Sequence, residues 1–281
     1  MNREQLLKEM GLGPVWKLRQ PLVHEPEPEH LSTPAMTPVA LPEFIPESAP
    51  EVADEPPLPE YIGPEYLSPE PPGGFEPADM SAVPDDAQRA RAAAIATMDW
   101  DTLQQAVAQC TACSLCQARK QAVLGVGDRQ ADWLFVGEGP GAEEDERGEP
   151  FVGQAGKLLD AMLDAIDLKR GKDVYIANAV KCRPPNNRTP EAAETAACWP
   201  FLARQIELIQ PKLIVALGKP AAQTLLQQEI KVGAARGHRH DFLGLPLIVT
   251  YHPAYLLRNL TDKARAWEDL CFMRQTMRDL R

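Results

Sequence analysis

The groups in this chain whose types and spacing could do chemistry are six cysteines, a histidine placed just after an apolar run, and a loop rich in Gly and Glu. Cys110 and Cys113 form a C-x2-C pair, and Cys182 and Cys198 follow with fifteen residues between them. Four thiolates in such a set can hold zinc or an iron-sulfur cluster, and spacing alone does not choose the metal or exclude buried, unligated thiols. Cys116 makes CTACSLC a run of three cysteines at three-residue intervals, so one is surplus to a set of four. Cys271 sits in a C-terminal amphipathic stretch and is expected to be a core thiol. In GEGPGAEED, Gly137, Gly139 and Ala142 satisfy a dinucleotide fingerprint only superficially, since Pro140 and the acidic run Glu143 to Glu146 would put carboxylates where a pyrophosphate needs positive potential.

Charge and composition divide the chain. Between Pro21 and Asp86 lie seventeen prolines and fifteen Asp and Glu, with no Lys or Arg. The net charge of -11 therefore belongs to that segment, and the remainder carries about +4. An acidic pI does not exclude a nucleic-acid partner, because affinity depends on which phosphates meet basic groups rather than on total charge. No run of apolar residues is long enough to span a bilayer, and the start MNREQLLKEM lacks a signal-peptide core, so a cytoplasmic protein without a membrane partner is expected. Cysteines in a cytosolic chain point to metal binding or buried thiols rather than disulfides.

The elements that must position these groups alternate. WLFVG at 133–137, VYIANAV at 174–180, LIVALG at 213–218 and LIVTY at 247–251 read as strands. Leu158, Leu159, Met162, Leu163 and Ile166 share one helical face; Phe201, Leu202, Ile206 and Ile209 share another. Thr189 and Pro190 suit a helix N-cap and first turn. Strands separated by helices imply parallel pairing. The expected fold is α/β: one three-layer αβα domain over residues 96–281, with a central, mostly parallel four-stranded sheet. Residues 21–95 are expected to be a disordered, Pro- and Glu-rich linker, too poor in large apolar side chains to offset ordering entropy. Residues 1–20 form a short amphipathic segment. Ligands of such sheets bind beyond the carboxyl ends of the strands. Glu138, Asn178, Gly218 with Lys219, and His252 all fall there.

The ordered set GEGPGAEED, GEPFVGQAG, YIANAVKCRPPNNRTP, IVALG and HPAYLLRN, with the C-x2-C before it and Cys198 after KCRPPNNRTP, resembles the family 4 uracil-DNA glycosylases. The resemblance implies excision of uracil from DNA by hydrolysis of its N-glycosidic bond. It implies a [4Fe-4S] cluster on Cys110, Cys113, Cys182 and Cys198, structural in role. Uracil must be flipped from the stack to be cut. Asn178, donor and acceptor in one amide, suits uracil O4 and N3–H and mismatches the amino group of cytosine. Phe151 would stack on the base, and His252 would donate to O2, where charge develops on the leaving anion. Gly137 and Gly139 would line the pocket, and Glu138 would position water. Glu144 corresponds to the residue that crowds C5 and rejects thymine. Arg183, Arg188, Lys181 and Lys219 are candidate phosphate contacts, and Leu256, Leu257 and Arg258 a candidate wedge. His238, Arg239 and His240 read as a solvated hairpin.

At the other end, Met10-Gly11, Trp16 to Arg19 and Pro21 resemble the start of the psi subunit of the bacterial replicative polymerase, which implies a tether through residues 1–21 to replication or single-strand-binding machinery. A non-catalytic DNA-binding accessory module linked to replication is the alternative that shares this fold.

Overall fold

The computed structural model describes residues 86–280. The expected amphipathic segment and residues 21–85 of the expected linker lie outside the described residues. Residues 86–95 are a correction. They form most of helix α1 (Asp86–Ala96), which docks through buried Ile95 and through Arg91, whose Nη1 donates to Ala197 O at 2.8 Å. Nine alanines, arginines and other strong helix formers outweigh the single buried apolar side chain as the cause of helicity there. Helix α2 (Trp100–Ala108) follows, capped by Asp99, whose carboxylate accepts from Thr102 N.

The sheet has six strands rather than four. In chain order they are β1 (Val126–Gly127), β2 (Trp133–Gly137), β3 (Val174–Asn178), β4 (Leu213–Leu217), β5 (Arg239–Phe242) and β6 (Leu245–Thr250). Their spatial order is β1-β3-β2-β4-β6-β5. The four expected strands are the parallel centre, and β1 and β5 add an antiparallel edge on each side. Neither edge had an apolar signature: β1 has two residues, and β5 is RHDF. The hairpin reading of His238 to His240 holds, with His240 and Arg239 paired to β6.

Helices cover both faces: α3 (Ala142–Arg147), α4 (Gln154–Ala165), α5 (Ala192–Ile209), α6 (Lys219–Leu226), α7 (Val232–Ala235), α8 (Pro253–Arg258) and α9 (Lys263–Asp279). Alternate strand residues point to opposite sides. Trp133, Phe135, Val215 and Ile248 pack on Leu159, Met162 and Leu163 of α4 and Met273 and Met277 of α9. Leu134, Val136, Ile214 and Val249 pack on Leu202, Ile206 and Ile209 of α5 and Leu225 of α6. A third apolar cluster joins Ile95, Leu103, Val107, Val180 and Phe201 around Cys182 and Cys198. Helix α5 begins two residues later than the sequence suggested. Glu191, not Thr189, is its N-cap, because Glu194 reaches back to the Glu191 N–H at 2.8 Å and closes a capping box.

One buried carboxylate ties the end of β6 to the helices behind it. Asp269 of α9 accepts from Thr250 Oγ1 at 2.7 Å and pairs with Arg236, after α7, at 2.9 and 3.1 Å. Burial pushes its carboxyl above the usual range, and the Thr250 hydroxyl and the Arg236 guanidinium pull it back. Asp269→Ala leaves the Thr250 hydroxyl without its acceptor and Arg236 with only Glu268 and the Arg265 carbonyl, and is expected to lower unfolding stability by about 3 kcal/mol. Urea unfolding checks this, and an unchanged midpoint would contradict it.

Candidate active site

Gly137, the last residue of β2, is aligned with Asn178, the last of β3. A Cβ on Gly137 would stand 2.5 Å from Asn178 Oδ1 and 2.6 Å from Phe151 Cζ, so only glycine lets the two side chains close over the strand end. Asn178 is 2% exposed, and its Oδ1 has no hydrogen-bond partner among the described residues. Buried polar atoms are nearly always paired, so an orphaned amide oxygen facing a glycine-floored recess marks a place where a ligand completes the bond.

Phe151 is held in an unusual conformation. Its φ is 55°, in the left-handed region that a bulky residue rarely adopts. Arg170 pins it there: Nη2 donates to Phe151 O at 2.7 Å, Nη1 to Pro150 O at 2.8 Å, and Nε to Asp160 Oδ1 at 2.9 Å. Gly156 makes room, since a Cβ on it would lie 1.8 Å from Phe151 O. The Phe151 ring then sits 5.5 Å, centroid to centroid, from His252.

His252 caps α8, and its Nδ1 accepts from Ala254 N at 3.1 Å. Burial, with a smaller contribution from Arg258, pushes the imidazole down to about 4, while Glu144 opposes the shift. The ring is therefore neutral at physiological pH, and because Nδ1 is an acceptor, the proton resides on Nε2 as a donor. Gly218, at φ +87°, follows β4, and a Cβ on it would stand 2.9 Å from the His252 Cβ, so the glycine lets His252 pack against the strand end.

The loop between β2 and α4 is braced by Glu144. Its Oε1 accepts from Val152 N and Gly153 N at 2.9 and 3.1 Å, and its Oε2 from Gly141 N at 3.1 Å. The carboxylate thus fixes both sides of the loop that carries Phe151. Glu138 is half-buried; burial raises its carboxyl, and a hydrogen bond with the Thr189 side chain lowers it. Gly139 lies against Val180, with Cγ2 2.7 Å from where a Cβ would be.

Five cysteines, Cys110, Cys113, Cys116, Cys182 and Cys198, line one cavity with Val107, Phe201 and Arg119. Arg119 Nη1 donates to Cys182 Sγ at 2.8 Å and Lys181 N to Cys198 Sγ at 3.2 Å. Burial pushes the Cys198 thiol up to about 12 and raises Cys113 and Cys182 as well. Cys271 is exposed, which corrects the expectation of a core thiol. On α9 the buried stripe is Leu270, Met273 and Met277, and Cys271 lies off it.

Residues 124–271 match the Uracil DNA glycosylase superfamily. Similar proteins include a type-4 uracil-DNA glycosylase of Thermotoga maritima, 47% identical over 59% of this chain and 86% of that protein, and one of Pyrobaculum aerophilum, 42% identical over 62% and 92%. The chain belongs to the uracil DNA glycosylase superfamily, in its type-4 group. A DNA polymerase of Bacillus phage SP01 is also similar, at 28% identity, over 48% of this chain and 14% of the polymerase.

Within this member of the superfamily, sequence reading brought together Gly137, Phe151, Asn178 and His252, and the structure does the same. It separates others. Lys181 is no phosphate contact: it is 1% exposed, and its Nζ donates to Asn178 O at 2.8 Å and to Gln205 Oε1 at 2.5 Å. Leu256 is buried, which leaves Leu257, 41% exposed, as the apolar projection of α8, with Arg258 exposed beside it. Arg183 donates to Asn187 Oδ1, and Arg188 is gripped by both oxygens of Glu194 at 2.7 and 2.8 Å. Lys219 is exposed at the start of α6. Sequence reading missed Arg170, Gln205 and Asp269, long-range partners that no local pattern advertises.

A neutral His252 has a measurable signature. Its folded pKa of about 4 lies below the ordinary 6.5, so between those values the unfolded chain binds the extra proton, and folding stability falls as pH drops through that window. Side-chain NMR should find the His252 imidazole neutral at pH 6, and a midpoint at or above 6.5 would contradict the assignment. Arg170→Ala should release Phe151 from its left-handed backbone, weaken base binding and, by uncovering the neighbouring ring, move the His252 titration back toward its ordinary value, checked by affinity for DNA carrying a non-cleavable uracil analogue and by side-chain NMR.

Proposed function

We propose that this protein flips uracil out of DNA and hydrolyses its N-glycosidic bond, leaving an abasic site for base excision repair. The observation that carries the reading is the orphaned amide oxygen of Asn178, buried beside the Phe151 and His252 rings at the strand ends. Asn178 Oδ1 accepts from uracil N3–H and its Nδ2 donates to O4; cytosine offers an acceptor and an amino group at those positions and leaves both interactions unmade. Phe151 supplies the stacking face. Gly137 and Gly139 keep the recess open.

As the bond between C1′ and N1 breaks, both electrons pass to the base. A uracil anion and an oxocarbenium-like sugar result. The Nε2–H of neutral His252 donates to O2, where the negative charge gathers; preorganised donors of this kind are worth most in a site that excludes water. Water then adds to C1′ and loses a proton. Glu138 is the carboxylate at the strand end available to orient that water, and burial, which raises its pKa, reflects a partly dehydrated position. Glu144 shapes the C5 side of the pocket by holding the loop that carries Phe151. Arg183, Arg188 and Arg258 meet phosphates, and Leu257 fills the gap left by the flipped nucleotide.

The cysteine cavity fits a [4Fe-4S] cluster on Cys110, Cys113, Cys182 and Cys198. The thiols stand around one shared cavity, and a four-iron cubane takes one cysteine per iron; the choice of these four over Cys116 follows the family resemblance. N–H donors aimed at two of these sulfurs suit thiolates. When bound, the cluster clamps the 110–119 loop to the 182–198 segment. Among the described residues no helix is long and apolar enough to cross a membrane, and uracil-containing DNA in the cytoplasm is the substrate proposed. The tether from residues 1–21 to replication or single-strand-binding machinery stands as part of this proposal, resting on the sequence resemblance alone.

A labelled oligonucleotide bearing one uracil, treated with protein and then alkali, tests the activity. Cleavage at the uracil and none at cytosine is expected, and an uncut strand with iron-loaded protein would refute it. His252→Ala should lower turnover roughly 100- to 1000-fold, the scale of losing one anion-stabilising donor, without weakening DNA binding; full activity would remove His252 from the chemistry.

A further inference from the structure

Helix α1 lies upstream of the residues that match the superfamily, and it has one buried apolar side chain among eleven residues. What it delivers to the fold is Arg91. The guanidinium stands 4.8 Å over the Phe201 ring, a wall of the cysteine cavity. Its Nη1 donates to the carbonyl of Ala197, next to Cys198, and its Nη2 reaches Cys110 Sγ at 3.6 Å. One planar group therefore joins the two chain segments that carry the cysteines. Together with Arg119 on Cys182 and the Lys181 N–H on Cys198, it gives three of the four sulfurs an N–H donor.

A guanidinium beside a neutral thiol gains little. Beside a thiolate that belongs to an anionic cluster it forms a charge-assisted bond. Such donors withdraw charge from sulfur, favour the reduced cluster and slow the oxidative loss of iron. We propose that α1 is a cluster-protecting arm whose working residue is Arg91, which bonds Cys110 and seals the cavity against Phe201. This inference rests on the [4Fe-4S] reading of the cavity and adds to it a residue outside the matched family region.

The test compares full-length wild-type holoenzyme with Arg91→Gln, Arg91→Lys, Arg89→Gln and Ile95→Ala, each purified without oxygen. Arg89 is exposed on the same helix and serves as the charge control. Iron content and visible absorbance are read first, then the decay of that absorbance in air and the reduction potential. Arg91→Gln should lose its cluster on the order of tenfold faster and show a more negative potential, Arg91→Lys should fall between it and wild type, and Arg89→Gln should match wild type. Equal decay and potential in Arg91→Gln and wild type would overturn the proposal. So would Ile95→Ala matching Arg91→Gln in both readouts, since loosened helix packing would then suffice. Iron-free, colourless wild-type protein would instead defeat the cluster reading on its own.

Discussion

The ammonium of Lys181 is the interaction on which the two halves of this molecule depend. It is wholly enclosed, and burial pushes it down to about 8 while the neighbouring cysteines oppose the shift, so it remains charged at neutral pH. Its Nζ binds the main-chain oxygen of Asn178 and Gln205 Oε1, and Gln205 in turn donates to Leu124 O and Tyr175 OH. Its own N–H points to Cys198 Sγ, and its carbonyl accepts from Val123 N. A buried charge without such partners would cost several kcal/mol. The register of β3, the position of the reading asparagine and the floor of the cysteine cavity are consequently set by one residue, and none can move without unmaking bonds in the others.

Around that centre the recess is defined by what is missing. Gly137, Gly156 and Gly218 each occupy a spot where a Cβ would fall inside a neighbour, against Asn178 and Phe151, the Phe151 carbonyl, and His252 respectively. Parallel strands end level with one another, so side chains at their carboxyl ends would ordinarily fill the space. Gly137 and Gly218 keep it clear, and Gly156 lets α4 pass against the Phe151 carbonyl. Arg170 and Glu144 then fix the loop walls with charge-assisted hydrogen bonds, an arrangement in which shape is held by polar contacts rather than by apolar packing.

The parallel centre of the fold was legible because four apolar runs, each followed by a polar or glycine residue, announce strands that end at a site. The edges were not: a two-residue bridge and the polar strand RHDF carry no period-two signal. The linker boundary was misplaced because α1 is alanine-rich and docks through an arginine, and hydropathy cannot see such a contact. Lys181 read as a DNA contact since a lysine in a loop is usually solvated; it is claimed instead by Gln205, 24 residues away. Leu256 and Leu257 are indistinguishable in sequence, and only the rotation of α8 buries one and presents the other.

The unpaired oxygen of Asn178 has a further consequence, for evolution rather than for chemistry. Asn178 Oδ1 makes no hydrogen bond within the described fold, so this amide serves recognition rather than stability at the one position where the chain must recognise something. Selection for heat resistance alone would find an apolar side chain there advantageous and would erase recognition in the same step. The asparagine can persist only in a lineage that is continually selected for what it binds.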